Sequence, residues 1–176
     1  YRGTGTDRTI EEFFKNYFGP TWAVQIRDFV ERNFQKGQLK AIVTNGIGAN
    51  DQFMMSLINM YNANRPKDAP VWYHVAMARD LVNLKDADGK MIPPANVLFI
   101  DISRSGSTWE GAEVAIRSLK HGYNKRIVLA NGSVLEAVAE KAKATGGDSL
   151  LINMSPDIGG RNMHRKTAIY YTAQTV

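Results

Sequence analysis

Residues Ser103-Arg104-Ser105-Gly106-Ser107-Thr108 bring four hydroxyls, one guanidinium and a glycine together at the end of an apolar run, Asn96 to Ile102. A helical pattern starts directly after them. The first turn of a helix has unpaired N–H groups and the positive end of the dipole, so a strand that delivers hydroxyls and an arginine to that point builds an anion site. The set suits a phosphate better than a carboxylate or a metal ion. Ser107-x-x-Glu110 also reads as a capping box. Capping accounts for two of these residues and leaves Ser103, Arg104 and Ser105 without a reason, which favours the phosphate.

Two further turns carry residues of interest. Gly46-Ile47-Gly48-Ala49-Asn50 follows another short apolar run. It lacks the third glycine of a dinucleotide fingerprint, and no acidic residue closes the next strand to hold a ribose, so a Rossmann cofactor is not expected. Close approach of the Gly48 and Ala49 backbone to a ligand, with Asn50 hydrogen bonding to it, is the functional reading. In Gly159-Gly160-Arg161 two glycines remove side chains in front of a guanidinium, so the backbone can pass a ligand while Arg161 points at it. His74, His121 and His164 share no ligand spacing, and no metal site is expected. His121, just before Gly122, reads as a helix C-terminal cap. Glu110 reads as structural, and the stripe Met54, Met55, Leu57, Ile58 as core or subunit interface.

These turns must be held by a scaffold, and the pattern supplies one. Thr9-x-x-Glu12 opens a helix, Gly19-Pro20 breaks it, and a second amphipathic segment carries Trp22, Ile26, Phe29, Val30 and Phe34 before Gly37. From there strands alternate with helices. The strands are Leu39 to Thr44, Val71 to Val75, Val97 to Ile102, Arg126 to Ala130 and Ser149 to Asn153. The helices run from about Asp51 to Tyr61, Arg79 to Leu84, Thr108 to Lys120 and Ser133 to Ala144, with a loop at Lys85 to Ala95. Such alternation predicts right-handed βαβ units, and hence a three-layer αβα sandwich with a five-stranded parallel sheet in the order 2-1-3-4-5. Ligands of such sheets sit outside the carboxyl ends of strands 1 and 3, where the winding reverses. The glycine turn follows strand 1 and the hydroxyl cluster follows strand 3, so topology and composition indicate one place.

Composition limits the function. The 176 residues are 44% hydrophobic and 22% charged, enough for one core. Cysteine is absent, which removes disulfides, a thiolate nucleophile and Cys-based metal sites. Without an apolar run of spanning length or a signal peptide, the chain reads as cytoplasmic with no membrane partner. The net charge of +5 favours acidic small molecules. No basic stripe interleaves with aromatics, so nucleic acid is not an expected partner. A start at Tyr1 and an end at Val176 inside a helical pattern suggest a piece of a longer chain.

Taken in order, the three turns resemble the phosphoglucose isomerase family. Gly46-Ile47-Gly48-Ala49-Asn50 is similar to its glycine-rich first loop, Ser103-Arg104-Ser105-Gly106-Ser107-Thr108-x-Glu110 to its sugar-phosphate loop, and Gly159-Gly160-Arg161 to the G-G-R of its first signature. Each motif alone is loose; the ordered triple is fairly specific. The resemblance covers about residues 38 to 170. It implies residues 1–37 as N-terminal helices packed on a first sugar isomerase (SIS) domain, 38–176, of a longer two-SIS-domain chain. It further implies a homodimer that interconverts glucose 6-phosphate and fructose 6-phosphate without a cofactor, in glycolysis and gluconeogenesis.

By the same resemblance, Ser103, Arg104, Ser105 and Thr108 hold the sugar phosphate. Gly48, Ala49 and Asn50 touch the sugar backbone, and Arg161 stabilises the enediolate-like charge. Ala49 and Asn50 stand where the family has Gly and Ser, Arg104 replaces a usual Lys, and Asn162-Met163 replace an aromatic-Ser pair. The family's base Glu, ring-opening His and Lys have no counterpart in this chain, so the segment alone is expected to bind without turnover. A non-catalytic SIS-type sensor of sugar phosphates stays open, as does a flavodoxin-like mononucleotide binder.

Overall fold

Strand β3 (Val97–Ser103) is apolar on both faces and lies at the middle of the sheet, which is the condition for a strand covered by helices on either side. The computed structural model describes residues 19–46, 49–86, 88–103, 108–130 and 133–153. In chain order these form α1 (Gly19–Asn33), β1 (Ala41–Asn45), α2 (Ala49–Asn64), β2 (Val71–His74), β3, α3 (Trp109–Lys120), β4 (Lys125–Ala130), α4 (Ser133–Ala144) and β5 (Asp148–Asn153). The sheet order is β2-β1-β3-β4-β5 and every pair is parallel. The expected α/β class, the 2-1-3-4-5 order and the flavodoxin-like sandwich are all present. Strand 1 is internal, as that winding requires.

The alternation of side chains sorts the core into two layers. Leu98, Ile100 and Ile102 of β3 face Phe29, Phe34, Met54 and Ile58 of the α1–α2 side. Val97 and Phe99 face the other side, with Val114 of α3 and Leu81. Leu135, Val138 and Ala139 of α4 cover Val128 and Ala130. Of the methionine stripe, Met54 and Ile58 are core, Leu57 packs against it in part, and Met55 is exposed. Helix α1 packs on this face of the sheet through Phe29; the helix from Thr9 lies outside the described residues.

Segment boundaries moved for identifiable reasons. The helix expected at Arg79 to Leu84 is a 3-10 turn, Ala78–Asn83, the form short helical connectors commonly take. Strand β1 runs one residue further than the apolar run, because Asn45 pairs with Asp101 and buries its amide. Edge strand β2 is blunted by Asn62, whose side chain accepts from Trp72 N at 3.0 Å and donates to Trp72 O at 2.7 Å. The turn before β5 needs Gly147, since a Cβ there would overlap the Asn124 side chain and carbonyl oxygen.

The C-terminal end of α1 is tied to the opposite edge by charge. Asp148 accepts from Arg32 Nη2 at 2.8 Å and from Asn33 Nδ2 at 2.8 Å, while Lys125 Nζ donates to Asn33 O at 2.6 Å and lies 4.4 Å from the Phe34 ring centroid. Burial pulls the Lys125 ammonium below its usual range. At Asp148 burial pushes the carboxyl up, but hydrogen bonds from Asn33, Arg32 and Ser149 and the Arg32 charge together hold it below the ordinary value. A carboxyl depressed on folding stabilises fully above its unfolded pKa of about 4 and loses that contribution as pH falls through the lower folded value. Asp148 and Arg32 are partly solvated, so the effect is about 1 kcal/mol or less. Thermal melts of wild type and Asp148→Asn should therefore differ at pH 6 and draw together as the pH falls below the ordinary carboxylate range. A gap that stayed unchanged through acid titration would remove the charge from this account.

Candidate anion-binding site

Strands β1 and β3 are neighbours, yet their following helices leave to opposite faces: α2 packs with α1, and α3 packs with α4. The two helix N-termini thus begin at adjacent strand ends, on either side of the point where the winding reverses. Ser103 is the last residue of β3, half-buried and in register with Ala130. Thr108 is the N-cap of α3; it is exposed, its carbonyl accepts from Ala112 N at 2.9 Å, and its side chain makes no capping hydrogen bond. Ala49 and Asn50 are the first two residues of α2. Gly48, Arg104, Ser105 and Arg161 lie outside the described residues, as do Asp157 and His164.

The capping box at Ser107 and Glu110 is corrected by one residue. With Thr108 as N-cap, Glu110 is the second helical residue rather than the third, and it is exposed. A carboxylate in the first turn still favours the positive end of the helix dipole. At the other end, His121 is the C-cap through its backbone N–H, which reaches Arg117 O and Ser118 O, and Gly122 follows with φ +84°. His74 ends β2, half-buried. Among the described residues no group of three His, Cys, Asp or Glu is placed to hold a metal ion. No described helix is long and apolar enough to cross a membrane.

Beneath the N-terminus of α3 lies a buried polar network that reading the apolar runs did not single out. Asp101 and Arg126 are both fully buried, with Arg126 Nε and Nη2 at 2.9 and 2.7 Å from Asp101 Oδ2. The guanidinium stands 5.0 Å from the Phe99 ring centroid, and its Nη2 donates to Ser118 Oγ at 3.0 Å. Ser118 Oγ donates in turn to Ala115 O at 2.7 Å. On the other side, Asn45 Nδ2 donates to Asp101 Oδ1 at 3.0 Å and to Gly111 O, in the first turn of α3, at 2.9 Å. A charge in an otherwise apolar strand needs a partner, and that is the signal in the sequence: Asp101 interrupts one apolar run and Arg126 opens another.

No family model and no curated protein matches the chain. Among solved structures it is similar to a hypothetical protein of Thermus thermophilus, with 18% identity and a TM-score of 0.48. That alignment covers 81% of this chain and 37% of that protein's length.

Proposed function

We propose that this chain is a sugar-phosphate-binding domain, the first SIS domain of an aldose–ketose isomerase that interconverts glucose 6-phosphate and fructose 6-phosphate in the cytoplasm as a homodimer. The observation that carries the reading is the position of the hydroxyl cluster. Its two described members, Ser103 and Thr108, flank the entry to α3 at the reversal point of the sheet, and the Thr108 side chain is not used in capping. The resemblance of the three turns to the phosphoglucose isomerase family supplies the substrate.

In this reading Ser103, Arg104, Ser105 and Thr108 bind the phosphate with the N–H groups that open α3, since a dianion there meets both unpaired donors and the helix dipole. Gly48, Ala49 and Asn50 lie along the sugar from the β1 side. Arg161 faces the oxygen that gains charge as a proton moves between C1 and C2. The base for that transfer comes from elsewhere in the parent chain or its dimer partner. No cofactor or metal is required.

The phosphate assignment is tested by replacing Ser105 and Thr108 together with Ala. Each charge-assisted bond contributes about 1.5–3 kcal/mol, so glucose 6-phosphate affinity should fall by about a hundredfold or more. Thr108 is exposed and its side chain makes no capping hydrogen bond, so the loss of affinity should far exceed any change in melting temperature. Unchanged affinity by calorimetry would dismiss the assignment.

A further inference from the structure

Asn45 is 1% exposed and its amide nitrogen donates to two groups from different elements, the Asp101 carboxylate and the Gly111 carbonyl. Asp101 is its register partner on β3, so one contact joins the tips of the two strands and the other joins them to the first turn of α3. Arg126 and Ser118 anchor the same helix near its C-terminal end. Helix α3 is therefore fastened to the sheet at both ends by one continuous polar chain, and Asn45 is the element of it that reaches the first turn. Packing alone leaves a helix some freedom to slide along its axis. A buried bidentate donor with two fixed acceptors removes it, because a buried amide donor or carboxylate oxygen left unpaired is costly.

We propose that Asn45 is a positioning residue that pins the first turn of α3, and with it Thr108 and the opening N–H groups, in the place where a phosphate is bound. The ligand half of this inference rests on the sugar-phosphate reading above; the pinning half does not. Asn45→Asp tests it, being isosteric but presenting oxygen where two acceptors require a donor. Ser118→Ala is the control, since it cuts the same network at the far end of the helix. If Asn45→Asp does not fold, Asn45→Ala removes the donors without adding charge.

Two readouts are compared. Hydrogen exchange of the Ala112 amide, bonded to Thr108 O, should quicken about tenfold or more in the Asn45 variant and little in Ser118→Ala. Calorimetric titration with glucose 6-phosphate, and with inorganic phosphate alone, should show about a tenfold loss of affinity in the Asn45 variant only. An unchanged Ala112 amide overturns the pin, and so does quickened exchange with undiminished affinity. Equal loss of affinity in both variants also overturns it, since a general loosening then suffices. A wild-type chain that binds neither probe refutes the sugar-phosphate reading instead, and the Ala112 exchange rate then decides the pin by itself.

Discussion

Replacing Arg126 by Met should destabilise the fold by about 3–5 kcal/mol, which lowers the melting temperature by about 10 °C or more in a chain of this size. The cause is the Asp101 carboxylate, fully buried and left without its 2.7 Å and 2.9 Å partners. Asp101→Leu should cost a similar amount by stranding the guanidinium, which keeps Ser118 Oγ, a 3.5 Å contact to Tyr123 O and the face of Phe99 but no counter-charge. The double variant, Asp101→Leu with Arg126→Met, should recover a large part of either loss, because the desolvation penalty of both charges disappears together. Recovery remains incomplete, since Asn45 Nδ2 then keeps only the Gly111 carbonyl. Denaturant melts of the three variants decide this, and additive losses in the double variant would mean that the two charges do not depend on each other.

On the proposed reading, Arg161→Ala in an active chain that joins these residues to a second SIS domain should lower kcat by about 10²–10³ with a smaller change in KM. On the proposed reading Arg161 meets charge that exists mainly in the transition state, and one such donor contributes about 3–4 kcal/mol. The 176-residue segment alone should bind sugar phosphates and show no isomerase turnover. A general base must reach the C1–C2 proton directly or through one water, and the family's base glutamate has no counterpart in this chain. Robust turnover by the segment would overturn this division of labour. A parent that binds sugar phosphate but never isomerises it would favour the sensor instead.

The winding of the sheet was legible because it rests on local periodicities. Apolar runs of about five or six residues, separated by helical patterns, leave few arrangements once crossovers must be right-handed. The place of the glycine turn and the hydroxyl cluster followed from that winding, since both lie directly after strands that the topology makes neighbours. Details that depend on a single backbone hydrogen bond were less legible. Ser107 and Thr108 are both good N-cap residues, and nothing local to either chooses between them, so the sequence pattern puts the cap at Ser107 where the helix takes Thr108.

What the sequence by itself determined is therefore the order of the elements and the edge of the sheet at which the glycine turn and the hydroxyl cluster follow their strands. Only the tertiary structure decided how that edge is held. Asp101 finds Arg126 across 25 residues, and Asn45 finds Gly111 across 66. Patterns along a chain register which residues turn inward. They do not register which buried donor meets which buried acceptor, because that pairing is set by strand register and helix docking after the layers have formed.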